Sequence, residues 1–234
     1  LVISMAERMV QVSELDLFTT EDEPILKKLS FSLDEGELKL LTKLDKKRRK
    51  LILGLLIGEI DPTAGQILLV GRNVVRIGPE KKRLMLQEDV GFVPEDFSLP
   101  NRKVFDCLAF KAKALDLSYE TEVKINETLE QLSLRTQVDY RTEDLTPTGR
   151  VKLAIGLAVL NRPKLLICDH LLTGLEEDGR KKLLYALKDL HQRRGLTILL
   201  AEEGIGRISE GEDDLPRLKD IELEIKEGTD GRYS

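Results

Sequence analysis

Leu38-Lys39-Leu40-Leu41-Thr42, then Lys43-Leu44-Asp45-Lys46-Lys47-Arg48-Arg49-Lys50, then Leu51-Ile52-Leu53-Gly54-Leu55-Leu56-Ile57 is an apolar strand, a polar interruption and an apolar helix in direct succession. A strand that feeds a helix through a tight loop is where a phosphate-binding loop is built. Such a loop needs glycines, one lysine and a hydroxyl. The interruption here contains no glycine and is crowded with cations. The sequence predicts a nucleotide-hydrolase scaffold that has lost the part holding the nucleotide.

Working outward, Val10 to Leu15 and Ile25 to Leu33 alternate like strands, with a polar turn from Thr19 to Pro24 between them. Asp61-Pro62-Thr63-Ala64-Gly65 breaks the chain before a β-rich run from Gln66 to Val70, and Val90 to Val93 is a short strand stopped by Pro94. From Val104 to Leu134 the spacing turns helical; Ile125, Leu129 and Leu132 share one face. Arg150 to Leu160 and Asp178 to Gln192 read as further helices. Leu165 to Cys168 is continuously apolar, as strands buried on both faces of a parallel sheet are, and Leu196 to Ala201 is another buried-type strand. Strands alternating with helices imply an α/β sheet covered on both sides. The charged tail after Gly204 is expected to fray at its end.

The 234 residues are 41% hydrophobic and 34% charged, with a formal net charge of −5. That suits a wet-surfaced globular protein and argues against general nucleic-acid binding, which needs a basic face. Cys107 and Cys168 lie in apolar stretches without C-x-x-C spacing and read as reduced core thiols. No apolar run reaches the length of a membrane span, and the opening Leu1 to Met5 lacks the basic lead of a signal peptide. The expected address is cytoplasmic.

Taken in order, these pieces resemble the ATP-binding cassette family, the nucleotide-binding subunits of ABC transporters, from about Val10 to Gly228. Asp61 to Ile67 is similar to the family's P-T-S-G-E-I turn, and Gly91 to Asp96 to its G-Y-V-P-Q-D segment. Leu165 to Asp169 is similar to its Walker B strand, Thr173 to Glu176 to its S-G-L-D loop, and Gly195 to Ala201 to the strand before its switch histidine. Val104 to Phe110 and Asn161 to Leu166 are most similar to the branch serving cell division and lipoprotein release. The resemblance implies a P-loop NTPase-like α/β core with a parallel-rich sheet and N-terminal antiparallel strands. It implies one domain over 1–234 with a helical subdomain inserted at 98–145.

The catalytic positions depart from the family pattern. Its G-x-x-G-x-G-K-S-T loop falls with Lys43, Lys46 and Arg48 at the glycines, Arg49 at the lysine, Lys50 at the serine and Leu51 at the threonine. Non-glycine residues resist the positive φ that a phosphate nest uses, and their side chains are expected to fill the phosphate volume. Lys50 and Leu51 remove the hydroxyl that ligates Mg²⁺, and Arg49 keeps the charge in a different shape. Asp169 survives as the metal-supporting acid. His170 stands at the glutamate that polarises water, Glu95 at the sensing glutamine and Glu203 at the switch histidine. The signature L-S-G-G-Q becomes Leu145, Thr146, Pro147, Thr148 and Gly149, where Pro147 lacks a backbone donor. Phe18 is the candidate for stacking on adenine.

Blander roles stand beside these. The basic run reads as a solvated helix start, with Asp45 as its cap, or as a partner or anion contact. His170 reads as a hydrogen-bonded structural residue, His191 as a helix-end cap, Asp169 as a loop-ordering acceptor, and Glu202-Glu203 as a solvated pair. A further option is that the cations face Asp169, Glu95 and Glu203 and replace the nucleotide with internal ion pairs.

The function implied is a non-catalytic subunit, structural or regulatory, of a membrane ABC-type complex, with no catalytic residue, bound cofactor or metal. It would lie against the inner face of the membrane and dock a permease-like integral membrane partner near Phe97 to Phe110. It would pair with itself or with another ABC ATPase, and it would bind no nucleic acid. The alternative is a catalytically weak ATP-binding subunit of a heterodimeric transporter, using ATP and Mg²⁺. An active ATPase with an unusual loop, or a regulator binding an acidic ligand through the basic run, are the other classes.

Overall fold

The computed structural model describes residues 7–20, 23–115, 121–203 and 219–220. Its first elements are β1 (Arg8–Phe18) and β2 (Pro24–Asp34), then β3 (Leu38–Leu41), α1 (Lys46–Leu56), β4 (Ala64–Leu69) and β5 (Arg72–Asn73). Next come α2 (Pro79–Glu88), β6 (Val90–Val93), α3 (Val104–Ala114), α4 (Thr121–Gln131) and α5 (Pro147–Val159). β7 (Leu165–Asp169), α6 (Glu177–Arg194), β8 (Thr197–Ala201) and β9 (Lys219–Asp220) complete the order. Residues 1–6 and the tail, apart from 219–220, fall outside the described residues, so the expectations made there are not addressed.

Two sheets form. One is antiparallel in the order β2-β1-β4-β5, and the other runs β6-β7-β8-β3-β9 with every pairing parallel. The α/β reading with an N-terminal antiparallel layer is therefore what the chain adopts. All five residues of β7 and of β8 are buried, and their side chains alternate between two cores. Leu166, Cys168, Ile198 and Leu200 pack with α3, α4, α5 and α6. Leu165, Ile167, Leu199 and Ala201 pack with α1 and the antiparallel sheet. A strand needed by two apolar layers has little room for a polar alternate, which is why the runs Leu165 to Cys168 and Ile198 to Ala201 are unbroken, with the polar Asp169 and Thr197 only at the strand ends.

Two glycines hold close approaches. Gly65 has φ +94°, and a Cβ there would lie 2.5 Å from the Glu14 carbonyl oxygen, so the start of β4 can rest on β1 only without a side chain. A Cβ on Gly91 would lie 2.6 Å from the Ala158 carbonyl, which lets β6 sit against α5. α3 and α4, with short 3₁₀ turns at Arg135–Gln137 and Thr142–Asp144, occupy the stretch between β6 and α5. Its neck is closed by the antiparallel bridge Lys103–Arg141 and the bond from the Val104 N–H to the Tyr140 carbonyl at 2.9 Å. Among the described residues no helix is long and apolar enough to cross a membrane. Both cysteines are free and buried, and burial pushes each thiol above its ordinary pKa.

The register of the parallel sheet builds the site. Leu41 pairs with Ala201, Asp169 with Ala201, and Val93 with Cys168. Four strands thus end level, and the residues just past their ends converge on one edge: the start of α1, Glu95, His170 and Glu202-Glu203. That carboxyl-terminal edge is where open α/β sheets place their ligand sites.

Candidate functional site

The basic interruption is mostly not a loop. Asp45 caps α1, with φ −70° and ψ 164°, and its Oδ1 accepts from the Arg48 N–H at 2.8 Å, so the helix begins at Lys46. The helix start with Asp45 as its cap is the one adopted, about a turn and a half before the apolar run at Leu51, because a good N-cap outweighs the clash of cations with the dipole. No acid lies in that first turn; the compensating charges come from the rest of the chain.

They arrive at Arg49, whose side chain is fully buried at 0% exposure. Its Nε donates to Asp169 Oδ1 at 2.7 Å, Nη1 to Glu203 Oε1 at 2.8 Å and Nη2 to Glu95 Oε2 at 3.0 Å. Each nitrogen of the planar fork meets a different carboxylate, a geometry a lysine ammonium cannot reproduce. Glu95 also binds Lys46 at 3.0 Å and Lys50 at 3.3 Å. Burial pushes the Glu95 carboxyl up, but bonds from Lys46 and Lys50 and the charge of Arg49 outweigh it and hold it below the ordinary range. The second Asp169 oxygen accepts from the Glu95 N–H at 3.5 Å. Arg49, Lys46 and Lys50 thus face Asp169, Glu95 and Glu203 in a charge-balanced cluster. The cations and the three acids that the sequence set opposite one another do meet in the fold.

Several expectations need correcting. Only Arg49 enters the interior; Lys43 and Lys47 are exposed, Lys46 is 61% exposed, Arg48 44% and Lys50 43%. Arg48 turns back to Asp45 at 3.8 Å. The cationic side chains do not together fill the region, because desolvating unpaired ammonium groups costs more than leaving them in water. Lys43 does adopt the left-handed conformation, φ 61°, that it was expected to resist. Leu51 packs its side chain at the edge of the core. Phe18 sits at the end of β1, opposite Pro24.

Glu202 and Glu203 are not a solvated pair. Glu203 binds Arg49, and Glu202 is 0% exposed. Glu202 Oε1 accepts from the Leu172 N–H at 2.8 Å and Oε2 from the Thr173 hydroxyl at 3.2 Å. Burial raises its pKa to about 7 against those bonds and the charge of Arg49. His170, at φ 58°, places Nδ1 3.3 Å from Glu202 Oε2 without forming a well-directed bond to the carboxylate. His191 Nδ1 meets the Leu196 carbonyl at 3.0 Å, across the left-handed Gly195 that ends α6. Sequence reading missed Glu202 as a buried acid; the available signal was its place just past a strand end level with Asp169.

The signature-like segment is also helical, not a loop ahead of a helix. Thr146 caps α5 by accepting from the Gly149 N–H at 3.1 Å, and Pro147 takes the first helical position, where its missing N–H costs no intrahelical bond. Thr148 packs on Gly179, and a Cβ at Gly149 would lie 3.3 Å from Gln137 Oε1. Among the described residues no hydrogen bond or ion pair joins Thr146–Gly149 to the Arg49 cluster. No three His, Cys, Asp or Glu side chains of the described residues are arranged to hold a metal ion; Asp169, Glu95 and Glu203 are turned onto the guanidinium.

Comparison with solved structures finds the same fold. CbiO1 from Clostridium perfringens, described as part of the ABC transporter complex CbiONQ, is 19% identical, with a TM-score of 0.76 over 85% of this chain and 79% of that one. An ABC transporter of metal-chelate type in an inward-facing conformation is 19% identical, with a TM-score of 0.67 over 83% of this chain and 73% of that one. The family model described as ABC transporter matches residues 50–173, just over half of the sequence, beginning next to Arg49. With that match and this topology, the chain belongs to the ABC transporter family.

Proposed function

We propose that this chain is a non-catalytic ATP-binding cassette subunit, whose nucleotide site is closed by its own side chains. The observation that carries the reading is Arg49, at 0% exposure, bound to Asp169, Glu95 and Glu203 together. A nucleotide with Mg²⁺ does not fit this donor set. The acid that would support the metal holds a guanidinium, the positions after Arg49 carry Lys50 and Leu51 with no hydroxyl, and the cluster is neutral without a triphosphate. Its parts hold one another in place, as a bound ligand would otherwise do.

The chain serves as a structural or regulatory component of a membrane transport complex, on the cytoplasmic face, beside an integral membrane subunit and a second cassette. The similar CbiO1, part of a transporter complex, supports that setting. The degenerate loop, the signature-like Thr146 to Gly149 and the substitutions at Glu95, His170 and Glu203 together argue against turnover. Removing a single preorganised group from such a site costs ~100-fold or more in rate, and several losses compound without being additive. Purified protein is expected to hydrolyse ATP no faster than its Asp169→Asn variant. Phosphate release from the wild type that Asp169→Asn abolishes would restore the weakly catalytic subunit as the better reading.

A further inference from the structure

The charge cluster reaches beyond the sheet edge through one of its acids. Between the end of β6 at Val93 and the start of α3 at Val104, residues 94–102 form neither helix nor strand. This connection divides at Pro100. The Pro100 carbonyl accepts from the Thr142 hydroxyl at 2.9 Å, the Arg102 carbonyl from the Thr142 N–H at 3.0 Å, and Asn101 Oδ1 from Arg141 Nη2 at 2.9 Å. Its second half is therefore bonded to the neck of the helical stretch.

The first half, residues 94–99, behaves differently. Among the described residues, its polar bonds to the rest of the fold all belong to Glu95. That carboxylate meets Arg49 Nη2 at 3.0 Å, Lys46 Nζ at 3.0 Å and Lys50 Nζ at 3.3 Å. The bond from the Phe97 N–H to the Pro94 carbonyl, at 3.3 Å, stays within the segment. Phe97 and Leu99 add apolar packing against the core as partly buried side chains. A stretch without ladder or helix bonds opens at low free energy unless side chains hold it. The three cations on Glu95 all come from the start of α1, a helix fixed in the core by Ile52, Leu53, Leu55 and Leu56. The other acids on Arg49 follow different strands: Asp169 ends β7 and Glu203 lies just past β8.

We propose that Glu95 is a positioning residue, an ionic strap that fastens residues 94–99, and with them the entry into α3, to α1 with no ligand bound. The inference rests on the geometry of the Arg49 cluster and not on the absence of turnover. It goes beyond closure of the site, because the strap gives the chain from Phe97 onward one shape whether or not a nucleotide is at hand.

Limited digestion with chymotrypsin, read as rates at individual cut sites by mass spectrometry, tests this. Cleavage of a folded chain follows the population of its locally opened form, and Phe97 gives the connection a cut site of its own. Glu95→Gln is expected to raise cleavage at Phe97 about 10-fold or more, the scale of one charge-assisted hydrogen bond. Cleavage at Phe31, buried in β2, reports global unfolding and is expected to stay as in wild type. Glu203→Gln removes another acid from the same guanidinium but lies outside the connection, and it is expected to leave Phe97 as protected as before. If Glu95→Gln opens Phe31 as well, Lys46→Met, at a position 61% exposed, carries the comparison with a several-fold rise confined to Phe97. Unchanged cleavage at Phe97 would mean that the packing of Phe97 and Leu99 is enough. An equal rise in Glu95→Gln and Glu203→Gln would mean that the cluster loosens as a whole. Either result overturns the proposal.

Discussion

Arg49→Met is expected to lower the unfolding free energy by about 3 kcal/mol, toward the lower end of the range for breaking a buried ion pair by removing one partner. At ~2–4 °C per kcal/mol for a chain of this size, Tm falls by roughly 10 °C. The loss is concentrated on Asp169, whose side chain is 6% exposed and is left with its charge buried. Glu203, at 41%, can turn to water, and Glu95 keeps Lys46 and Lys50. Arg49→Lys is expected to fall between the two, because one ammonium cannot satisfy carboxylates arriving from separate directions. The size of this effect measures the breakage of the cluster, not its net worth: an apolar replacement of all its members can be neutral or stabilising. Chemical denaturation of the three proteins at pH 7 gives the ranking. Equal stability of wild type and Arg49→Met would show that the guanidinium is not held as described.

The second large effect is a pH dependence with the sign opposite to that of most carboxylates. Glu202 is displaced from an ordinary 4.5 to about 7 in the folded chain. Between those values the folded state holds a proton that the unfolded state has released, so stability falls as pH rises through the window and is level above it. A displacement of that size corresponds to about 3 kcal/mol. The groups facing Glu202 are His170 Nδ1, the Thr173 hydroxyl, the Leu172 N–H and, through its charge, Arg49. Glu202→Gln keeps the shape and the acceptor for Leu172 while removing the titration. It is expected to be the more stable protein at pH 8 and to approach wild type at pH 5. Urea unfolding of both proteins across pH 5 to 8 reads this directly; curves that run parallel would place the burden of ionisation elsewhere.

Much of the fold was legible in the chain. β7 and β8 declare themselves because strands buried on both faces carry unbroken apolar runs, Leu165 to Cys168 and Ile198 to Ala201, and the turn at Asp61 to Gly65 carries its own punctuation. α2 left no such trace: Met85 is its one buried residue, so no apolar stripe marks it. The start of α1 was legible as an alternative, because Asp45 is a good cap for the basic run. That Arg49 is the residue on the inner side of the first turn was not. The meeting of Arg49 with Asp169, Glu95 and Glu203 could be foreseen from motif positions, because the resemblance places all four at one sheet edge. Which cation would enter could not, since that depends on helix phase and on the fork matching acids on three different segments. Glu202 was unreadable for a different reason. A charged residue beside an apolar run looks solvated in sequence, and only the packing of a second element over it takes the water away.

The most direct measurement is a titration of the purified chain with a fluorescent ATP analogue, with and without Mg²⁺. If Arg49 and its three carboxylates close the site, fluorescence should show no saturable, Mg²⁺-dependent binding at micromolar concentrations. Micromolar affinity that requires Mg²⁺ and is lost in Asp169→Asn would mean that the ion pairs open to admit the nucleotide.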